Sequence, residues 1–274
     1  MGNYYQDYLR LTVYVVVFVL LAAFELTRPR RVPSLPRAGR WFSNAALFAI
    51  NFVLIRFVLG GAAYATAEYA AEREWGLLHD VSLSWPVDFA VGFLCLDLAL
   101  YLQHVLTHAL PFLWRLHIVH HSDLDFDATT AMRFHPVEAL VSVFFRIGVV
   151  AAMGVAASTV LVFEVAVFCA TLFNHSNVKI PPGADSRVRT VVITPDFHRI
   201  HHSVEPEETN SNFGFFFSWW DKLFGTYREA PVSPHNLMQL GLNEYRSAGE
   251  LSLFSLLALP FNPRMGAYSF KKEE

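Results

Sequence analysis

Residues 86–121 read PVDFAVGFLCLDLALYLQHVLTHALPFLWRLHIVHH, an apolar run that ends among histidines. A helix crossing the hydrocarbon core needs roughly 20 largely apolar residues, and the piece from Pro86 to His104 meets that need. Histidines then come at His104 and His108, and again at His117, His120 and His121. A membrane helix is therefore expected to carry imidazoles at its end and hand over to a second helix carrying more of them.

Further apolar stretches lie on either side. Leu9–Leu26 and Trp41–Thr66 are two more candidate spans, and Val137–Phe173 is apolar except for a small-residue dip at Gly154–Ser158. That dip predicts two helices in a tight hairpin. The fold class is an all-α integral membrane protein with four to five transmembrane helices and a cytoplasmic, histidine-rich helical cap. Three regions are expected: N-terminal transmembrane helices and loops at 1–85, a histidine-bearing domain at 86–230, and a cytoplasmic or interfacial tail at 231–274. Within the tail, Leu251–Phe261 is a candidate interfacial helix.

Composition agrees. Of 274 residues 54% are apolar and 16% charged, against roughly 45–50% and 25% for soluble domains. A net charge of −3 speaks against a nucleic-acid partner, and Cys95 and Cys169 alone make neither a disulfide scaffold nor a thiolate metal site.

Charge also sets the expected orientation. Arg28, Arg30, Arg31, Arg37 and Arg40 fill a loop without acids, whereas residues 67–85 carry Glu68, Glu72, Glu74 and Asp80 against Arg73. The first loop is then cytoplasmic and the second external. On that topology His104, His108, His117–His121, His135, His175 and His198–His202 all fall on the cytoplasmic side, while His79 falls outside. A charge left alone at mid-bilayer costs at least ~2.5–3.5 kcal/mol, so Arg146 and Glu164, placed at similar depth on the two arms of the hairpin, are expected to form a structural ion pair, with a role in substrate handling as the alternative.

The histidines form three clusters: His104-Val105-Leu106-Thr107-His108, His117-Ile118-Val119-His120-His121 and His198-Arg199-Ile200-His201-His202. On a helix, positions i, i+3 and i+4 share a face, so each HxxHH aims three imidazoles into one volume. Neutral imidazole suits Fe, Zn, Cu or Ni, and eight such ligands are too many for one metal but fit two. His175, where the hairpin returns, is a further candidate ligand; His135 is either a ligand or a supporting group. Asp97, Tyr101, His104 and His108 lie within a stripe of roughly 60° on the third helix, so Asp97 could orient a ligand imidazole from below. Asp123, Asp125, Asp127 and Asp196 flank the boxes and could do the same. HExxH, GxSxG, Walker and GxGxxG patterns are absent. Two redox metals beside an apolar chamber suit O₂ activation and attack on a lipid C–H bond. Zinc hydrolysis would need a carboxylate base, for which Asp196 or Glu138 could serve. A non-catalytic membrane metal binder is the reading from another class.

The residues now quoted resemble a known family. Leu113-Trp114-Arg115-Leu116-His117-Ile118-Val119-His120-His121-Ser122, Arg133-Phe134-His135-Pro136-Val137-Glu138, His201-His202-Ser203, Asn210-Ser211-Asn212-Phe213-Gly214 and Trp220-Asp221-Lys222-Leu223-Phe224-Gly225-Thr226-Tyr227-Arg228 look like the fatty acid hydroxylase/sterol desaturase superfamily. The resemblance implies a membrane-embedded di-iron oxygenase that hydroxylates or desaturates a lipid such as a fatty acyl chain or sterol; zinc could replace iron during isolation. Carried over, the ligands would be His104, His108, His117, His120, His121, His198, His201 and His202. His175, preceded by Asn174, matches the extra histidine placed after the hairpin. Asn212 and Gly214 match a turn that shapes the site wall. No catalytic residue beyond the ligands is implied. O₂ and electrons from a separate donor of cytochrome b5, ferredoxin or reductase type would be needed, and Arg187, Arg189 and Arg199 are candidates for that contact. Seventeen arginines against four lysines suggest a GC-rich bacterial gene and an inner membrane. Lys271-Lys272-Glu273-Glu274 has the form of a dilysine signal, which would mean the endoplasmic reticulum in a eukaryote.

Overall fold

The computed structural model describes residues 2–59 and 61–264, with side chains from Tyr8 onward; the dilysine-like ending lies outside them. Five stretches are long and apolar enough to cross a membrane. They are α1 (Gly2–Thr27), α2 (Arg37–Leu59) with α3 (Ala62–Glu72), α4 (Trp85–Ala109), α6 (Pro136–Met153) and α7 (Ala157–Asn174). Between α4 and α6 comes α5 (Pro111–His121). After the hairpin come the short helices α8 (Pro182–Val188), α9 (Pro195–His201), α10 (Pro206–Thr209), α11 (Trp219–Leu223) and α12 (Leu253–Ala258). Three isolated bridges are the only β-type pairings among the described residues.

Prolines set the helix starts: Pro86, Pro111, Pro136, Pro182, Pro195 and Pro206 each open a helix, where the missing N–H would have no partner anyway. Gly154 ends α6 in the left-handed region at φ 69° and turns the chain into α7. Two boundaries differ from the sequence reading. The second span continues past Thr66, because α3 carries the helical path on to Glu72. The third runs to Ala109, five residues past His104, so the helix outlasts the apolar run from which it was read.

The bundle has two distinct ends. At one, the loop of residues 73–84 caps the hairpin tip, with Leu77 and Leu78 N–H donating to the Ala152 and Met153 carbonyls. Gly76 is pressed so closely on Gly154 that a Cβ at either would meet backbone. At the other end the arginine-rich loop 28–40 packs against the histidine-bearing segments. Arg30 N–H donates to the Asn177 carbonyl, and Arg40 pairs with Asp123 at 2.9 Å.

Two cores hold these ends together. In the bundle, Leu96, Leu100, Val150, Val160 and Phe163 interlock α4, α6 and α7 with Ala63 and Ala67 of α3. In the cap, Leu47, Trp114, Ile118, Leu242, Leu251, Leu256 and Leu259 join α2, α5 and the C-terminal segment. The 251–261 stretch, read as one interfacial helix, is therefore a short α12 between two 3-10 turns. One side of it is buried in the cap core, while Phe254 and Phe261 point outward.

Candidate metal centre

The turn between α4 and α5 assembles the first half of the site. Leu110 is extended, the conformation favoured before a proline, and Pro111 starts α5 in a new direction. The chain therefore folds the second box back onto the first. His104 Nε2 comes to rest 3.1 Å from His117 Nε2. The hairpin end supplies His175, and α9, capped by the Thr194 hydroxyl, supplies the third box.

Nine buried histidines meet there in two groups. His104, His108, His117, His121 and His201 form one; His120, His175, His198 and His202 form the other, each with ligand atoms within 4.8 Å of one another. The expectation that each HxxHH aims into one volume needs correction, since each box straddles both groups. The cause is the helical pitch. His117 and His121 differ by about 40° around α5, whereas His120 stands about 100° from His121. Box three divides the other way, giving His198 and His202 to the second group and His201 to the first.

The imidazoles fit a cation. His104 and His201 donate Nδ1–H to the carbonyls of Phe213 and Ser211 at 2.7 Å, and His175 donates to Thr171 at 2.8 Å. His117 donates Nδ1–H to Glu138 at 2.5 Å. The Nε2 atoms of His104 and His117 therefore both point into the cage, 3.1 Å apart, where one cation could be held by both. His120 and His198 Nε2 face His175 Nε2 at the same 3.1 Å. Nε2 of His108, His121, His201 and His202 is buried without a hydrogen-bond partner. Burial pushes His175 and His201 down to about 3, and His120, His121, His198 and His202 well below the usual imidazole range. Neutral, metal-competent imidazole is the favoured form.

The stripe on α4 does face one way, but its lower half serves another partner. Asp97 accepts from Phe217 N–H and Trp220 Nε1–H, and Tyr101 bonds Thr226 Oγ1 at 2.9 Å while stacking on Phe224. His104 and His108 meet Phe213 and Asn210. The stripe is thus the seat for segment 210–227, and Asp97 orients that segment rather than an imidazole. Asn212 sits at φ 56° with its side chain bonded to Phe197, Arg228 and no histidine. Asn174 donates to the Phe215 carbonyl. His135 stands outside both groups: its Nδ1 accepts from Val137 N–H as the cap of α6, and its Nε2 faces the Leu257 carbonyl.

The acids beside the boxes are all engaged elsewhere. Asp123 binds Arg40 and Thr130, Asp125 accepts from Ser34 and Leu35, and Asp127 holds Arg40 and Trp41. They tie the arginine-rich loop to the cap instead of orienting imidazoles. Asp196 pairs with Arg30 and Arg199, so neither it nor Glu138, held by His117, is a free base. Arg199 is wholly buried and is not a surface for an electron donor; Arg187 is exposed and Arg189 pairs with Asp185. Sequence reasoning quoted Arg133 within a motif without giving it a role; it donates to Val119, Asn44 and Ser122. That reasoning missed Glu25, which accepts from Ala128 and Asn177 N–H, and Asp221, which holds the Phe213 and Gly214 N–H groups behind His104. Asp221, pushed up to about 6 by burial, stands inside the Trp220-Asp221-Lys222 motif, the one local signal for it.

Fold and site together define a helical membrane protein whose spans converge on a thiolate-free cage of imidazoles. The family model described as fatty acid hydroxylase matches residues 89–226, just over half of the chain, and the chain belongs to that family. It is 28% identical over 224 residues to the ornithine lipid hydroxylase OlsE of Rhizobium tropici, covering 80% of this chain and 67% of that one. It is 32% identical over 144 residues to the cholesterol 25-hydroxylase of Rattus norvegicus, covering 52% and 47%. The alkylglycerol monooxygenase of Caenorhabditis elegans is 28% identical over 174 residues, covering 62% and 33%. The chain thus spans about two thirds of the first relative and less than half of the other two. No solved structure matches it.

Proposed function

We propose that the protein is an iron-dependent hydroxylase of a membrane lipid. The observation that carries this is the division of nine buried histidines into a group of five and a group of four at the end of an apolar bundle. His104, His108, His117, His121 and His201 would hold one iron, and His120, His175, His198 and His202 the other. Bound iron supplies the activation of O₂. One oxygen atom enters a C–H bond and the other leaves as water, with two electrons and two protons supplied from outside the chain. The residues around the cage hold its ligands in one tautomer, seat segment 210–227 as its wall, and exclude water. Relatives named as hydroxylases or monooxygenases favour oxygen insertion over desaturation.

The catalytic part is residues 86–230, with a separate electron donor meeting the cap. Clustering of Arg28, Arg30, Arg31, Arg37 and Arg40 at the cap end supports a cytoplasmic site in a bacterial inner membrane. The test is metal content by mass spectrometry on protein made in iron-supplemented cells, beside His120→Ala/His121→Ala. About two irons per chain, lost in the variant, are expected under the two-group assignment. Lipid extracts labelled with ¹⁸O₂ should then show one heavy oxygen in a lipid hydroxyl. Absence of any transition metal from both proteins defeats the reading.

A further inference from the structure

Outside the cage, one carboxylate and two guanidinium groups meet between the spans, beside the phenol of Tyr14. Glu164 of α7 lies 3.2 Å from Arg10 Nη2 of α1 and 3.4 Å from Arg146 Nη1 of α6. The sequence pairs Arg146 with Glu164, but the structure adds a second guanidinium. Among the described side chains two cations therefore share one carboxylate within the apolar part of the bundle. Nε of both arginines is buried without a hydrogen-bond partner. The cluster is not sealed: side-chain exposures are 15% for Arg10, 17% for Glu164 and 24% for Arg146. Around it Leu9, Leu11 and Val162 point outward, so what reaches it comes from the bilayer.

We propose that Arg10, Glu164 and Arg146 form an anion site for the acid group of a lipid, a carboxylate or a phosphodiester. An excess guanidinium in hydrocarbon calls for a counter-charge, and guanidinium matches both acid groups with paired N–H donors. Along α6 the distance from Arg146 to Glu138, which holds His117, is about 12 Å, and along α7 Glu164 lies about 16 Å from His175. An acyl chain anchored at the triad spans that distance and presents its interior methylenes to the cage. That placing of the chain rests on the hydroxylase reading; the anion site does not, because binding is read without turnover.

The test uses the full chain in nanodiscs of dioleoylphosphatidylcholine, with [1-¹³C]palmitate as probe and methyl palmitate and dioleoylphosphatidylglycerol as competitors. Saturable palmitate binding is expected, weakened about tenfold or more by Arg146→Gln and by Arg10→Gln, and restored in large part by Arg146→Lys. Glu164→Gln removes the competing carboxylate and is expected to tighten binding and enlarge the palmitate-induced rise in Tm. Asp7 lies three residues before Arg10 in sequence, so each variant is repeated with Asp7→Asn. Competition by phosphatidylglycerol assigns a phosphodiester as well; competition by neither lipid assigns the carboxylate alone. Two results overturn the proposal: methyl palmitate binding as well as palmitate, or Glu164→Gln weakening palmitate as much as Arg146→Gln does. The latter pattern means the triad only pins α1 to the hairpin.

Discussion

His117 Nδ1 and Glu138 Oε1 lie 2.5 Å apart, joining the second histidine box on α5 to the first turn of α6. A carboxylate on the far nitrogen fixes the tautomer, aims Nε2 at the cage and raises its basicity. Loss of such a partner commonly costs about 10–100-fold in metal affinity or activity. Glu138→Ala should weaken metal binding by that amount at the five-histidine group and leave the four-histidine group loaded. Glu138→Gln, which can still accept from Nδ1–H, should fall between. Metal titration with a competing chelator checks both; equal affinity in all three proteins would mean that His117 needs no orienting partner.

The division of each box predicts a pattern of partial losses. His121→Ala removes a ligand from the first group alone, and His120→Ala or His175→Ala from the second alone. Metal content per chain should fall by about half in each single variant and to near zero in His120→Ala/His121→Ala. Adjacent residues would then empty different positions. If each single substitution emptied the whole cage, one shared cluster rather than two positions would be indicated.

Acid should destabilise the metal-free protein through these imidazoles. His175 and His201 are pushed down to about 3 by burial, from an ordinary value of 6.5. Between those limits the unfolded chain binds protons that the folded chain does not, so stability rises with pH. The contribution is complete above about pH 6.5 and is lost as pH falls toward 3, at up to about 1.4 kcal/mol per pH unit for each group. Asp221, held up at about 6 from an ordinary 3.8, opposes this with one proton between those two values, less than the two imidazoles together. The chelated protein should therefore unfold at a lower temperature at pH 5 than at pH 7. Thermal scans across that range decide it, and a flat profile would contradict the buried, neutral cage.

What was legible in the sequence and what was not follow from range. The run from Pro86 to His108 and the two HxxHH boxes are periodic, so their helices and shared faces can be read from spacing alone. The hairpin was legible because Gly154–Ser158 interrupts an otherwise unbroken apolar stretch. Partnerships between distant residues carry no such signature. Nothing local says that Asp97 serves Trp220 rather than an imidazole, or that Arg10 joins Glu164. The division of the boxes was hidden for another reason: i, i+3 and i+4 share a broad face, but a cage of ångström dimensions resolves the angle within it.

The first turn of α2 is tied to the cap by charge. Arg40 lies almost wholly buried between Asp123 and Asp127, while Asp123 also accepts from Asn44 and Thr130. Arg133, equally buried, holds Asn44 Oδ1, the Val119 carbonyl and Ser122 Oγ. The nearby guanidinium groups hold Asp123 below the usual carboxylate range despite burial. This network grips Val119 on one side of His120 and His121 and Ser122 and Asp123 on the other, so it fixes where the second box stands. Arg40→Met would leave two buried carboxylates short of a cation, a change that typically costs about 3–5 kcal/mol. Arg40→Met/Asp123→Asn/Asp127→Asn removes the charges together and should recover much of that loss. Fluorescence-detected thermal unfolding of the detergent-solubilised protein measures both. If the single variant is as stable as the wild type, the start of α2 is a tether of little strength; if the triple variant regains stability but not metal, the charges also position His120 and His121.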